Sequence, residues 1–300
     1  MSKFNLLLAA VCAAVLSVSA QAEQQPPLKV LVSTRVTEGL ARQLLQSTNA
    51  EVERAVPANL PASRHSAYFG GRGAQALHKI ADKADVVISL RSIWPNDPLY
   101  PQARRSNIRI IEVDAARPVD GALPGIAIDP DDREAVQVTQ PWLTNSNMGR
   151  MADVIAADLV RIAPADKDQI EANLASIKHR LLELSAKTDR RLAHIDNLTA
   201  VALSAQLRYL LEGMGLDTVN VADITPPGKW TPEALQQLSA LLEDEGVAAV
   251  VTDQKVSPEV RAAIEQAGST LVVIPDAQDD PLTQLEQAQE LILKVLETSS

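Results

Sequence analysis

Cysteine is nearly missing from this 300-residue chain: Cys12 is the only one, and it sits in an apolar run near the N-terminus. Aromatic residues are also scarce at 3%, so Leu, Val, Ile and Ala must fill the interior. Basic charge falls short of acidic, 28 Lys and Arg against 38 Asp and Glu, and no basic stripe with interleaved aromatics is present. A phosphate-backbone partner is excluded on that ground, because nucleic-acid binding needs a basic face. No Gly-x-Ser-x-Gly elbow, His-Glu-x-x-His pair, Walker loop or nucleophilic Cys occurs, so no enzyme is expected. Internal repeats and low-complexity tracts are absent too.

What is there begins with a leader. Lys3, the apolar run 6–18 and Ala20-Gln21-Ala22 have the form of a secretory signal peptide over residues 1–22. The run is shorter than the ~20 residues that span a bilayer and has no basic stop-transfer flank, which argues against an anchor. Cleavage before Glu23 removes Cys12 and Lys3, leaving 27 basic against 38 acidic side chains, a formal charge of −11. No disulfide is then possible. An exported, Cys-free chain with 46% hydrophobic residues fits the periplasm, where a full-sized core makes staples unnecessary; a monomer is expected.

The centre of the chain is a stretch from 166 to 195 that lacks Pro and Gly, with Ile170, Leu174, Ile177, Leu181 and Leu184 at helical spacing. Asp166 and Gln169 resemble a capping box, and Lys187, Arg190 and Arg191 suit the negative end of the helix dipole. Such a helix spans roughly 45 Å at 1.5 Å per residue, more than one small domain. Before it, apolar runs at 28–33, 50–56, 85–90 and 107–113 alternate with helical segments, and 57–73 reads as a loop. After it, runs at 198–203, 218–221, 247–252 and 270–274 alternate with helices that start at Thr231-Pro232, Ser257-Pro258 and about Pro281. The fold class is α/β: an N-terminal lobe (23–165), a linking helix (166–195) and a C-terminal lobe (196–300), each lobe with a parallel sheet.

Ligands of open parallel sheets bind beyond the carboxyl ends of the strands. His65, Ser204, Asp253 and Asp276 occupy such places. Trp94, Trp142 and Trp230 lie near segment ends, which suits the lining of a cleft. Here the chain resembles the zinc- and manganese-binding solute-binding proteins of bacterial ABC importers. The resemblance rests on Val56–His65, on Gln140-Pro141-Trp142-Leu143, which looks like the family's Asp-Pro-His-x-Trp-Leu segment, on Leu203-Ser204 ahead of Tyr209, and on Asp276 after Ile274-Pro275. It implies a divalent metal ion, zinc or manganese, held between the lobes by His65 and Asp276, and delivery to an inner-membrane ABC permease. Gln140 and Ser204 stand where the family has His, or His or Glu. Zinc favours four nitrogen- or sulfur-rich ligands, so Gln140, Ser204 and Asp253 would make an oxygen-rich site closer to what manganese accepts.

That departure leaves other readings open: a diverged member that binds a metal chelate or small organic solute, or a periplasmic protein that hands metal to another. The family's His-rich loop is absent, since the chain has four His, of which His78, His179 and His194 fall on helical segments. Gly71-Arg72-Gly73-Ala74-Gln75-Ala76 fits a dinucleotide fingerprint in letters. Val56 lies too far upstream for a strand to lead into it, so the glycines read as turn residues.

Overall fold

A computed structural model describes residues 26–129, 139–221, 224, 230–275 and 279–299. Each apolar run becomes a short parallel strand. The first lobe contains β1 (Leu28–Val32), α1 (Arg35–Leu44), β2 (Ala50–Arg54), α2 (His65–Phe69), α3 (Ala74–Ala81), β3 (Val86–Ser89), α4 (Leu99–Ser106), β4 (Ile111–Asp114) and α5 (Asn145–Ile162). The linking helix is α6 (Lys167–Leu192). The second lobe has β5 (Thr199–Ala202), α7 (Arg208–Met214), β6 (Asp217–Val219), α8 (Pro232–Asp244), β7 (Ala249–Thr252), α9 (Pro258–Gln266), β8 (Thr270–Val273) and α10 (Pro281–Thr298).

The sheets run β2-β1-β3-β4 and β6-β5-β7-β8, and all pairs are parallel. Central strands β3 and β7 are buried along their whole length, as helices on both faces require. Edge strand β2 instead turns Glu51 and Glu53 to solvent, charges that discourage pairing with another chain. Register keeps the carboxyl ends level: Val32 lies beside Arg54, Ser89 beside Asp114, and Ala202 beside Val251. The loops after these ends meet between the lobes.

Thr231 and Ser257 cap α8 and α9 by accepting from Ala234 N and Val260 N, each followed by Pro in the first turn, as the sequence predicts. Helix α6 is 26 residues long, about 39 Å at 1.5 Å per residue. Its stripe of Ile170, Ile177, Leu181 and Leu184 is buried, joining one apolar cluster that includes Val30 and Val86 of the first lobe and Ala249, Val251 and Ile292 of the second. The capping box is not formed. Pro164–Asp166 make a 3-10 turn that runs directly into α6, and Asp166, at φ −95° and ψ 6°, makes no side-chain cap bond.

Polar bonds key α6 to both lobes. Asn173 donates to the carbonyls of Leu44 and Gln46 at the end of α1. On the other side Arg180 binds Asp280, Thr283 and Glu286, Thr188 donates to Gln289, and Lys187 and Arg191 pair with Glu290. The lobes also touch directly. Gln43 donates to Asp280 at 2.8 Å, and Gly39 of α1 packs under Pro281, where a Cβ would come 2.7 Å from the Asp279 carbonyl oxygen.

Candidate functional site

Residues 57–73, read above as a loop, hold a 3-10 turn (Ala62–Arg64) and the five-residue helix α2. His65 is the first residue of α2. The turn swings its ring inward until only 2% of the residue is exposed, against Phe69 and Trp94 at centroid distances of 6.3 and 6.0 Å. Nε2 lies 3.3 Å from the Leu60 carbonyl oxygen. A carbonyl only accepts, so this contact places the proton on Nε2 and the lone pair on Nδ1. Nδ1 is buried and has no hydrogen-bond partner among the described residues. Burial pushes the imidazole pKa down, and the Leu60 contact only partly opposes this, so the ring is held neutral in the form that ligates metals.

Trp94 is held by a tight turn built on a buried acid. Asp97, 2% exposed, accepts from Leu90 N at 3.0 Å and from Leu99 N at 3.1 Å. Burial outweighs these bonds and lifts its pKa to about 6. The folded state thus binds this proton more tightly than the unfolded chain, so the contribution of Asp97 is greatest at or below about pH 4 and is lost as pH rises through 6. Chemical denaturation at successive pH values should show that decline, and Asp97→Asn should flatten it.

His65 opens on an inter-lobe cleft of about 360 Å³. Ser33, Arg54 and Trp94 of the first lobe line it, with Gln140 and Trp142 ahead of α5 and Gln206 of the second lobe. Gln140 takes a left-handed backbone, φ 47°, which turns its amide across to Gln206 Oε1 at 2.6 Å. His65 and Gln140 are thus brought to one cleft. Ser204 and Asp253 are not part of its lining: they follow the neighbouring strands β5 and β7 and bond to each other, Oγ to Oδ1 at 2.5 Å. Asp276 lies outside the described residues. Trp142 joins Trp94 at the cleft, whereas Trp230 packs against the outer cluster of the second lobe. His78 contacts Ser106 and His179 contacts Glu183, both on the surface. Gly73 seats the Tyr68 ring directly against its Cα, where no Cβ would fit, so close packing explains that glycine.

Among the described residues no three His, Cys, Asp or Glu side chains gather as a metal shell. Several polar cleft residues escaped the reading of the sequence, Ser33, Arg54 and Gln206 among them. Ser33 follows β1 as Ser204 follows β5, so the strand-end rule could have found it. Gln206 sits in a 3-10 turn (Ala205–Leu207) whose direction no local pattern gives.

Residues 30–298 match the family described as zinc-uptake complex component A, periplasmic (ZnuA). The chain belongs to this family. Solved structures similar to this ZnuA-family chain include a ZnuA, with 17% identity, 91% of this chain and 100% of that one covered, and a TM-score of 0.66. FpvC from Pseudomonas aeruginosa in complex with Mn2+ gives 16%, 91%, 100% and 0.67. A Zn(II)-bound mutant variant of AdcAII of Streptococcus pneumoniae gives 18%, 90%, 99% and 0.68. At such identities the structures show the shared fold. A comparison with curated proteins finds no match.

Proposed function

We propose that this ZnuA-family chain is a periplasmic receptor that captures a divalent metal ion, zinc or manganese, in the inter-lobe cleft and presents it to an inner-membrane ABC permease. The observation that carries the reading is His65: a neutral, buried imidazole at the cleft whose Nε2–H faces a backbone carbonyl and whose Nδ1 has no described partner. An imidazole fixed through one nitrogen to a carbonyl is the usual arrangement of a metal-ligating His. Asp276 is the second ligand on this reading, with amide oxygens of Gln140 and Gln206 in reach of the same space. Family membership supports the transport role, and the structures of FpvC with Mn2+ and of Zn(II)-bound AdcAII are relatives in fold that hold such ions.

Recognition then uses small shifts rather than wide opening. The α6 seam limits rotation of the lobes, so residues from both sides close on the ion over a short path. Export through a signal peptide at 1–22 completes the reading, and no helix among the described residues is long and apolar enough to cross a membrane. Calorimetric titration of demetallated protein beginning at Glu23, against zinc, manganese and nickel, tests it. One-to-one binding of an ion is expected; no binding of any of the three would overturn the reading.

A further inference from the structure

Helices α2 to α4 gather basic charge on one outer face of the first lobe. Residues 64–109 hold eight Lys and Arg against three Asp, a formal +5 within a chain of −10. No single segment carries this charge; packing assembles it. Phe69 of α2, Leu77 of α3 and Leu99 and Ala103 of α4 cover the sheet face that shows Leu31 and Val87, and His78 of α3 meets Ser106 of α4 at 2.8 Å. Val30 and Val86 turn to the opposite face, where α6 and the second lobe pack. The outer side of the α2–α4 layer therefore meets solvent, with Arg72, Lys79, Lys83, Arg104, Arg105 and Arg109 exposed on it or at its edge.

None of these six side chains pairs with a carboxylate among the described residues, whereas Arg180, Lys187 and Arg191 of α6 are each engaged by an acid. The three Asp of the stretch offset little: Asp97 is buried and bonded to backbone, and Asp85 accepts from Lys29 N at the amino end of the strands. Arg72 lies over the Tyr68 ring at 5.7 Å and Arg104 donates to the Tyr100 hydroxyl. Each guanidinium is steadied by a ring while in-plane N–H groups remain for phosphate oxygens, and Tyr itself suits the membrane–water boundary. Ile108, 77% exposed in the turn after α4, sets an apolar tip between Arg105 and Arg109. An acidic protein segment matches the charge but leaves that tip in water; a headgroup layer takes up both.

We propose that this face docks on an anionic phospholipid surface, with Arg and Lys on phosphate oxygens and Ile108 among the headgroups. The strands run along the sheet and the basic layer lies over its face, so a docked molecule keeps the cleft, at the strand ends, open sideways to solvent. Acids elsewhere in the chain oppose docking weakly, because charges more than ~8 Å apart are screened at physiological salt and a helix layer is itself ~10 Å thick. The proposal does not depend on what the cleft binds.

Co-sedimentation of the protein beginning at Glu23 with vesicles tests this. Phosphatidylcholine alone is compared with one part phosphatidylglycerol to two of phosphatidylcholine, at about 0.1 M and about 1 M salt, which shortens the Debye length from ~10 Å to ~3 Å. Retention on the anionic vesicles at least tenfold above that on phosphatidylcholine is expected at the lower salt, and most of it should be lost at the higher. Arg105→Gln with Arg109→Gln should weaken it at least fivefold and Ile108→Ser at least twofold. Arg190→Gln with Lys255→Gln, an equal loss of charge on α6 and the second lobe, should change it little, with unchanged melting temperatures reporting intact folds. Equal retention on both kinds of vesicle, retention on neither, or equal weakening by the two double variants would overturn the proposal. Binding of poly-glutamate without binding of the anionic vesicles would overturn it too, and would assign the face to an acidic protein partner.

Discussion

Replacing His65 by Ala should lower divalent-ion affinity by more than ~100-fold, the largest effect expected of any single substitution in the cleft. The reason is chemical: His65 is the one imidazole in the described lining, where the other polar side chains are neutral amides and hydroxyls, weak donors to a borderline ion, and guanidinium groups that repel it. The measurement is thermal unfolding with and without zinc. Parent protein at a zinc concentration one hundred times its dissociation constant should gain about 2.7 kcal/mol, and His65→Ala should gain almost none. Without metal, the variant loses packing against Phe69 and Trp94 but keeps its fold, so its melting curve remains a single cooperative step. Equal zinc stabilisation in the two proteins would remove His65 from the site.

Gly39→Val should destabilise the protein by about 3 kcal/mol, at the upper end of what overpacking costs. A Cβ at position 39 lands within contact distance of the Pro281 ring and 2.7 Å from the Asp279 carbonyl oxygen, both rigid, so neither side can yield without moving α10 from α1. The change also bears on the cleft, because Pro281 and Gln284 belong to its lining and Asp279 pairs with Arg35 and Arg54. A melting temperature lowered by roughly 6–12 °C is expected, scaling the effect by ~2–4 °C per kcal/mol for a chain of this order of size. A variant that melts with the parent would show that the two helices part easily at this point.

The alternation of strands and helices, and α6 itself, were legible because each rests on a local signal: an apolar run of strand length, a 3.6-residue stripe, a Pro after a hydroxyl cap, a Gly after a helix. Gly215, Gly246 and Gly268 adopt the left-handed backbone that ends their helices. Local signals fail where a neighbour decides. Asp166 has the capping letters, but the preceding Pro164 forms a 3-10 turn that leaves its carboxylate without a cap bond. Helix α2 spans only five residues, too few to display a period, and the prolines and glycines around it read as loop. In the candidate site His65 was found through its segment, whereas Ser204 and Asp253 were named separately though they bond to each other. Their meeting depends on β5 lying next to β7, and strand order is not written in any one segment.

None of the cleft-lining residues belongs to α6, the element whose stripe and ion pairs join the lobes. The joint along α6 and the lining of the cleft therefore meet at the start of α10, where cleft-lining Pro281 follows Asp280, a partner of Arg180. A substitution at position 140 leaves the bonds of α6 in place, whereas one at Arg180 removes its bonds to Asp280, Thr283 and Glu286, on either side of cleft-lining Pro281 and Gln284. A cleft built this way can change its lining without a change in the α6 helix, and Gln140 of that lining stands where the resembling segment has His.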